Sequence, residues 1–411
     1  MKNLVILGAG TAGTIMANKL HRRLNSAEWQ ITIVDRSPLH YYQPGFLFVP
    51  FGLLQPEQLV RPKTETLPAG ARFVVGEVDR IKPEQNQVLL TGGECLPYDD
   101  LIIATGANIH PEETEGLQGL LWHTSIFDFY TLDGATALAQ ALKDWPGGRL
   151  VVNITEMPIK CPVAPLEFLL LADDFFTQRG MRDRVDLHFV TPLAGACTQP
   201  TASKRLGGLF ATKGIRVTPD FNIARVDEAN KTIVSWDDQT VPFDLLVTIP
   251  TNKGDAAIER SGMGDELGFV PTDKHTLRSS QYPNIFAIGD ATNVPASKAG
   301  SVAHFESDVL AENILSAMAC QPLAAEFDGH ANCFIESGHG KALLLDFNYD
   351  VEPVTGTFPL PKLGPFSLLK ETRLNHVGKL AFRYAYWNLL LPGHAMPLVE
   401  SHMSRAGKDL S

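Results

Sequence analysis

A glycine-rich turn follows the first apolar run of the chain, Lys2–Leu7. It reads Gly8, Ala9, Gly10, Thr11, Ala12 and Gly13. In this GxGxxG spacing, Gly8 allows the tight turn, Gly10 lets a phosphate approach the backbone, and Gly13 lets helix and strand pack closely. Asp35 ends the next apolar run, at the distance where a carboxylate binds ribose hydroxyls. The pattern predicts a dinucleotide-binding βαβ unit.

Thiol chemistry is the second possibility. The chain has five cysteines, which are Cys95, Cys161, Cys197, Cys320 and Cys333. There is no CxxC pair and no Cys/His cluster with zinc spacing, so we expect no metal site. Cys161 follows Lys160 and precedes a predicted helix, and both the cation and the helix N-terminus favour a thiolate. We expect Cys95, Cys197 and Cys320 to be buried packing residues.

Two more segments could hold the nucleotide from the side of the sheet. The predicted buried strand Tyr98–Gly106 ends in Ala104, Thr105 and Gly106, small residues that let the chain turn tightly beside a cofactor. Val78 ends another predicted strand and is a candidate contact for an adenine. Pro44 lies in an aromatic-rich segment that forms either a buried turn or a wall beside the cofactor ring.

Asn284–Ala291 carries the second strong motif, Gly289-Asp290, between a predicted strand and a predicted helix. An aspartate at this point binds the ribityl or phosphate end of FAD, although a simple helix N-cap is the alternative. Lys298 follows at the head of the next helix. Together with the glycine turn and Ala104–Gly106, in this order along the chain, the motif indicates an FAD-binding domain.

The middle of the chain repeats the architecture without the glycines. Arg149–Ile154 is a predicted strand, and the hairpin-then-strand pattern of residues 81–106 recurs over residues 231–247. The turn after Ile154 reads Thr155-Glu156-Met157-Pro158, which offers a pyrophosphate no cradle. We therefore expect an α/β fold with two Rossmann-like dinucleotide-binding domains, of which the second lacks a nicotinamide cofactor.

Composition narrows the possible partners. The net charge of −11 argues against nucleic acid as a partner, and no run of about 18 apolar residues could span a bilayer. No signal peptide is apparent, so we expect cytoplasmic synthesis.

The predicted domains are 1–115 with 280–325 for FAD, 116–279 for the second Rossmann-like domain, and 326–411 for a C-terminal helical, membrane-docking region.

Over nearly its whole length the chain resembles the sulfide:quinone oxidoreductases, a group of FAD flavoproteins with two dinucleotide-binding domains. The resemblance rests on the segment Lys160–Glu167, which reads KCPVAPLE, and on Asn332-Cys333-Phe334. Leu343–Tyr349 and Tyr386-Trp387-Asn388 add to it. The resemblance implies oxidation of sulfide to sulfane sulfur, with electrons passed through FAD to a membrane quinone.

The resemblance also implies roles for individual residues. Cys161 and Cys333 correspond to the redox-active pair, and sulfide would attack their disulfide or sulfur-extended bridge. Glu167 and Lys160 are candidates for proton handling near Cys161, although an exposed helix face and a solvated lysine explain them equally well. Residues 106–149 contain no cysteine, so we expect non-covalent FAD and a mechanism with two cysteines.

A quinone lies in the bilayer, so the enzyme should contact a membrane without crossing it. Lys362–Leu369 and Lys379–Leu391 combine leucines and aromatics with cationic flanks at Arg373, Lys379 and Arg383, as interfacial helices do. Packing against the flavin domain or a homo-oligomer contact is the alternative. We therefore predict a peripheral membrane protein, with homo-oligomerisation possible.

Three other functions compete with this interpretation. A type II NADH:quinone oxidoreductase shares the fold, but it needs the glycine turn that is missing at Thr155–Pro158. A flavoprotein sulfide dehydrogenase would pass its electrons to a cytochrome, and such proteins are normally exported. A degenerate flavoprotein with a structural or sensing role would not need both Cys161 and Cys333.

Overall fold

The computed structural model describes residues 1–410 of the chain. Its first sheet has five parallel strands. In spatial order they are Ile285–Ala287, Asp100–Ile103, Lys2–Leu7, Trp29–Asp35 and Arg72–Val75. The central strand Lys2–Leu7 is buried at its last four residues, as its continuous apolar sequence requires of a strand covered on both faces.

A second five-stranded parallel sheet repeats this arrangement. Its strands, in spatial order, are Ile126–Phe127, Leu245–Ile249, Gly148–Ile154, Val185–Val190 and Arg216–Thr218. Gly148–Ile154 is the central strand of this sheet, as Lys2–Leu7 is of the first. The prediction of two Rossmann-like domains in an α/β fold is confirmed.

Each parallel sheet carries a three-stranded antiparallel sheet inserted before its last long strand. The first insert comprises Val78–Lys82, Gln87–Leu90 and Cys95–Pro97, and the second Ile223–Asp227, Thr232–Ser235 and Thr240–Pro242. This matching order confirms the predicted repeat. Two short antiparallel pairs complete this part of the chain, Leu39–Tyr41 with Val60–Pro62 and Ala107–His110 with Thr251–Gly254.

Seven α-helices lie within residues 1–410. They are α1 Thr11–His21, α2 Leu132–Asp144, α3 Ala164–Gln178, α4 Pro200–Thr212, α5 Ala256–Arg260, α6 Gly300–Met318 and α7 Arg373–Ala385. A π-helical turn, Tyr386–Leu390, continues α7. None of the helices within residues 1–410 meets the length and hydropathy needed to cross a membrane.

The C-terminal region is a four-stranded sheet covered by α7. Its strands, in spatial order, are Ala331–Gly338, Lys341–Phe347, Gly364–Leu368 and Gly356–Leu360. The interfacial helix expected at Lys362–Leu369 is therefore wrong, because this segment forms part of a hairpin. Pro365 inside this segment explains the difference, since a proline inside a helix removes a backbone donor and clashes with the preceding turn.

Candidate functional site

A cavity of about 440 Å³ opens at the carboxyl ends of the first sheet and extends to the C-terminal sheet. Every predicted site residue except Gly13 lines it. These residues are Gly8, Gly10, Thr11, Ala12, Asp35, Pro44, Val78, Ala104, Thr105, Gly106, Lys160, Cys161, Glu167, Gly289, Asp290, Lys298 and Cys333. Residues far apart in the sequence are thus brought to one cavity.

The three glycines of the turn have different surroundings. A Cβ atom at Gly13 would lie 1.9 Å from the Gly8 carbonyl oxygen, and one at Gly8 would lie 2.3 Å from the Ala104 carbonyl oxygen. Gly8 also has a φ of +92°, which favours glycine. A Cβ at Gly10 would meet no atom of residues 1–410 within 4 Å, so only Gly10 presents open backbone to the cavity.

Asp35 holds the turn from the side. Its Oδ2 accepts a hydrogen bond from the Ala9 amide at 2.7 Å, and its Oδ1 accepts one from the Ser37 amide at 2.9 Å. The buried Lys63 ammonium lies 2.6 Å from the same Oδ1. Sequence reasoning did not identify Lys63. Both carboxylate oxygens are engaged, and the side chain still borders the cavity where a ribose is expected.

Several groups around this cavity lack partners that FAD would supply. Helix α1 begins at Gly10-Thr11 and has no side-chain cap within the described residues, so its first amides point at the cavity unsatisfied. The buried Thr105 hydroxyl also has no hydrogen-bond partner within residues 1–410. Open backbone at Gly10, free helix amides and an orphaned hydroxyl fit a dinucleotide, and the residues present therefore fit FAD.

Lys298 and Asp290 form the far end of this cofactor region. The Lys298 ammonium donates to the carbonyl oxygens of Asp290 at 3.0 Å and Thr292 at 2.6 Å, and it lies 4.0 Å from the Phe269 ring centroid. Lys298 therefore holds the turn that carries Asp290. Burial raises the pKa of the Asp290 carboxyl, and the charges of Lys298 and Lys160 oppose that rise.

The two cysteines singled out by the sequence lie in the same cavity, Cys161 just before α3 and Cys333 on the strand Ala331–Gly338. Neither forms a disulfide within residues 1–410. Burial raises the pKa of the Cys161 thiol to about 11 and that of Cys333 to about 12, and the charge of Cys161 adds to the rise at Cys333. A negative charge on Cys161 therefore disfavours ionisation of Cys333.

Cys161 occupies a constrained backbone position. Its φ is +45°, in the left-handed region that a residue with a side chain rarely adopts. The Cys161 amide donates to the Lys298 carbonyl at 2.7 Å, and its own carbonyl accepts from the Ala164 amide at 2.8 Å. Tyr130 fixes the preceding carbonyl, of Lys160, through a 2.7 Å hydrogen bond from its hydroxyl. Hydrogen bonds on both sides thus hold the thiol in this conformation.

A buried ion pair lies beside the cysteines. The Lys379 ammonium on α7 is 2.8 Å from the Glu167 carboxylate on α3, and it donates to the Phe334 carbonyl at 3.0 Å. Burial alone would lower the pKa of Lys379, but the charges of Glu167 and Cys161 outweigh it and raise the pKa. Glu167 is almost fully buried, so its interpretation as an exposed helix residue is wrong.

The cation that favours the Cys161 thiolate differs from the predicted one. Lys379 opposes the rise in the Cys161 pKa, as does the Ala164 amide at the N-terminus of α3. The Lys160 ammonium instead lies 3.3 Å from Gln43 Oε1 and 5.9 Å from the Tyr130 ring centroid. Burial lowers the pKa of Lys160, and Asp290 and Asp128 oppose this. The helix argument for Cys161 therefore agrees with the structure, whereas the Lys160 argument does not.

Other sequence expectations were incomplete or wrong. Cys95 and Cys320 are exposed, so they are not packing residues, whereas Cys197 is half-buried. Lys379 is a cavity residue and not the solvent-facing flank of an interfacial helix. Its position 46 residues after Cys333 gives no local signal of this contact, which only the packing of α7 on the C-terminal sheet creates.

The end of α7 also reaches the glycine turn, which sequence reasoning missed. The buried Tyr386 hydroxyl lies 2.7 Å from Thr11 Oγ1 and 2.7 Å from His40 Nε2. Pro44 stands in a short buried 3₁₀ helix, Gln43–Phe48, and also lines the cavity. The interpretation as a buried turn with a short helix is confirmed, whereas the position of Pro44 beside the cofactor ring stays a prediction.

Side-chain hydrogen bonds hold the turn in the second sheet. The Thr155 amide and hydroxyl both donate to the Ile249 carbonyl, each at 3.1 Å. Thr251 Oγ1 lies 3.4 Å from the Glu156 carboxylate, which faces the same turn. The segment therefore closes on the sheet with its own side chains and carries a carboxylate where a glycine turn would expose amides to a pyrophosphate.

Comparisons with known proteins agree with this geometry. The pyridine nucleotide-disulphide oxidoreductase family matches residues 2–153. The mitochondrial sulfide:quinone oxidoreductases of Dictyostelium discoideum and Mus musculus are 29% and 27% identical over 398 residues, which are 95% of this chain and 86% of each relative. The X-ray structure of the Aquifex aeolicus sulfide:quinone oxidoreductase matches with a TM-score of 0.79 at 20% identity, covering 96% of this chain and 92% of that one.

These comparisons extend beyond the shared nucleotide-binding domain. The family match ends near the close of the strand Gly148–Ile154, whereas the mitochondrial relatives align over almost the whole chain, including both cysteine segments. Over almost its whole length the chain is therefore similar to the sulfide:quinone oxidoreductases, and it is an FAD-binding oxidoreductase.

Proposed function

We propose that this protein oxidises sulfide to sulfane sulfur through Cys161 and Cys333 and passes the electrons to a membrane quinone. The observation that carries the proposal is the shared cavity, in which both cysteines and the Glu167–Lys379 ion pair adjoin a region that fits FAD. Relatives named for sulfide and quinone chemistry support the choice of substrates.

The sulfur step needs only the two cysteines and hydrosulfide. Hydrosulfide attacks one sulfur of the bridged Cys161–Cys333 pair, a new S–S bond forms to the incoming sulfur, and the bond between the cysteines breaks. One cysteine becomes a persulfide and the other leaves as a thiolate, so charge and electrons balance. The sulfane sulfur then passes to a second sulfide or another acceptor.

The Glu167–Lys379 pair supports this exchange. The pKa values of about 11 and 12 mean that either cysteine, once freed as a thiolate, tends to take up a proton at neutral pH. Lys379 stabilises the thiolate of Cys161 and of Cys333 because its positive charge lies in the same buried region. Glu167 accepts a hydrogen bond from the ammonium and so fixes it in place.

The residues of the first domain would hold FAD. Gly10, Thr11 and the α1 N-terminus take the pyrophosphate, Asp35 faces the ribose, and Asp290 takes the ribityl end. When bound, FAD supplies two-electron chemistry between the thiolate and the quinone. The lack of a cysteine between Gly106 and Arg149 supports non-covalent binding.

The quinone is assigned to the side of α7. Leu374, Val377, Leu380 and Tyr384 recur at helical spacing on this helix and are each more than half exposed. Leu363, at the tip of the adjacent hairpin, is also exposed. An apolar stripe of this kind beside the cavity supports insertion into the bilayer interface, where a quinone can reach Phe382.

The cysteine chemistry is tested by anaerobic flavin absorbance of Cys161→Ser and Cys333→Ser. Sulfide should bleach the flavin of the unchanged protein and of neither variant. Cys95→Ser and Cys320→Ser are matched controls, since both thiols are exposed and neither lines the cavity. Full bleaching of both cavity variants by sulfide would overturn the proposed mechanism.

A further inference from the structure

Glu336 is a buried carboxylate that the proposed mechanism does not use. It lies on the strand Ala331–Gly338, three residues after Cys333. Both of its carboxylate oxygens lie 2.9 Å from Nδ1 of His376 on α7. Its amide donates to Glu167 Oε1 at 2.9 Å, the oxygen that also lies 2.8 Å from Lys379. Glu336 therefore adjoins the ion pair beside the cysteines.

These groups form a series from the cavity to the surface. The exposed fraction of the side chain is 1% for Glu167, 3% for Glu336 and 30% for His376. Lys379 stands at the inner end, where it bonds the Phe334 carbonyl on the strand that carries Glu336. His376 and Lys379 are three residues apart on α7, so one helix face joins both ends of the series.

The surroundings of Glu336 place its titration near neutrality. Burial raises its pKa to about 7, the charge of Glu167 from α3 adds to the rise, and His376 and Lys379 from α7 oppose it. On the neighbouring strand its partner is Ala342, which does not titrate. A carboxyl with this pKa can both accept and release a proton under working conditions.

We propose that Glu336 and His376 form the proton-exchange route between the Cys161–Cys333 cavity and the solvent at α7. The inference rests on the proposed function. Oxidation of one hydrosulfide to sulfane sulfur releases two electrons and one proton. The electrons leave to the quinone. The proton passes to the Glu167 carboxylate, which the Glu336 backbone amide contacts, then crosses to the Glu336 carboxylate and leaves through the His376 imidazole.

Glu336 and His376 act through the ion pair and do not touch the cysteines, so both are positioning residues for this proton. The route opens at His376 on α7, the helix that also carries the exposed Val377 and Leu380. Proton release and the proposed quinone access thus share one side of the molecule. Reduction of the quinone consumes two protons, so the same route can return the released proton toward the quinone side.

The test compares the pH dependence of sulfide-driven flavin bleaching in single-turnover experiments. In the unchanged protein the rate should follow a group with a pKa near 7. Glu336→Gln should lose this dependence and slow the reaction by about tenfold or more, whereas Glu336→Asp should restore part of the rate. His376→Ala should be slow and should recover with added imidazole, which a merely structural role would not explain.

His339→Ala is the matched control, because His339 is an exposed histidine at the end of the same strand and pairs with Asp174, outside the series. Infrared spectroscopy supplies a readout independent of activity. A protonated-carboxyl band that titrates near pH 7 should be lost in Glu336→Gln, while the band of Glu306, also buried with a pKa of about 7, should remain.

The outcomes separate the two proposals. If sulfide bleaches the unchanged protein and Glu336→Gln keeps the same rate and pH profile, the route is wrong and the proposed function stands. Failure of imidazole to accelerate a slow His376→Ala variant would also overturn the route. If sulfide does not bleach the flavin of the unchanged protein, the proposed function and the route built on it both fail.

Discussion

The three glycines of the turn have different structural roles, although the sequence motif does not distinguish them. Gly13 is packed against the Gly8 carbonyl, whereas Gly10 faces the open cavity. Gly8 is thus required by the geometry of the turn, Gly13 by close packing, and Gly10 by the access of a ligand to the backbone. Substitution by alanine can separate stability from cofactor binding.

Gly10→Ala should fold normally and bind FAD at least about tenfold more weakly, because its methyl group would occupy space meant for the pyrophosphate. Gly13→Ala should instead lower the free energy of unfolding by about 1–3 kcal/mol through overpacking. Thermal unfolding of the cofactor-free protein measures the stability of each variant, and titration with FAD measures its affinity for the cofactor. Equal loss of stability in the two variants would contradict the assignment.

We expect the Glu167–Lys379 ion pair to be the contact at which a single substitution lowers the free energy of unfolding most. Lys379→Met should lower the free energy of unfolding by about 3–5 kcal/mol at neutral pH, because it leaves the Glu167 charge buried and unpaired. The double variant with Glu167→Gln should lose less than Lys379→Met alone. Urea unfolding measures each value.

An exposed ion pair provides the control for that experiment. Arg216 and Asp186 are 2.5 Å apart, but both side chains are about half exposed to solvent. Arg216→Met should cost no more than about 1 kcal/mol. If Lys379→Met lowers the free energy of unfolding as little as Arg216→Met does, the buried ion pair stabilises the protein no more than the exposed one.

At the scale of elements, local patterns were sufficient for the nucleotide-binding strands and their turns. An apolar strand directly precedes each of three motifs, which are Gly8–Gly13, Ala104–Gly106 and Gly289-Asp290. The sequence therefore predicts both the element and the site. The C-terminal sheet was harder, since the apolar and aromatic composition of residues 356–369 fits a helix face or a hairpin, and only its prolines favour the latter.

The contacts of α7 could not be derived from the sequence for a different reason. Lys379 and His376 have the composition of an exposed amphipathic helix, and their partners Glu167 and Glu336 are 212 and 40 residues away. No spacing rule connects such residues. The pairing of Cys161 with Cys333 had the same difficulty, and it entered through the family resemblance alone.

The C-terminal tail forms a further element that the sequence did not reveal. Asp346 accepts a hydrogen bond from the buried His330 at 2.8 Å and lies 2.5 Å from the buried Lys408 ammonium. The Thr357 amide donates to Gly407, which adds the tail to the edge of the C-terminal sheet. Burial would raise the pKa of Asp346, but His330 and Lys408 lower it below its ordinary value.

This depressed pKa predicts a pH dependence of stability. The contribution of Asp346 is fully present above its unfolded pKa, near 3.8, and is lost as the pH falls through the lower folded value. Asp346→Asn should therefore unfold at a lower temperature at pH 7 and show a smaller further loss below pH 4. Melting curves from pH 2.5 to 7 check this. Parallel curves for the two proteins would contradict it.

At the scale of the whole molecule, the exposed stripe of α7 predicts how the protein meets a bilayer. Leu380→Glu should reduce co-flotation with liposomes by about tenfold, because one apolar contact with the membrane is replaced by a charge. Leu120→Glu changes an even more exposed leucine in the second domain and should float like the unchanged protein. Equal flotation of both variants would place the membrane contact elsewhere.

The two Rossmann-like domains differ in the turn that would bind the phosphates of a dinucleotide. The first sheet keeps the open glycine turn, whereas the corresponding turn of the second is closed by Thr155 and Glu156. The duplicated architecture was readable from the repeated hairpins, and the lost glycines from the motif. The domain boundaries at residues 115, 279 and 325 stay a prediction.

The most direct measurement is anaerobic flavin absorbance of the unchanged protein, with sulfide and NADH added in separate cuvettes and a short-chain quinone added afterwards. The account predicts fast bleaching by sulfide, no bleaching by NADH, and recovery of the oxidised spectrum with quinone. Bleaching by NADH alone would contradict it, since the second domain would then bind a nicotinamide and Cys161 and Cys333 would have only a packing role.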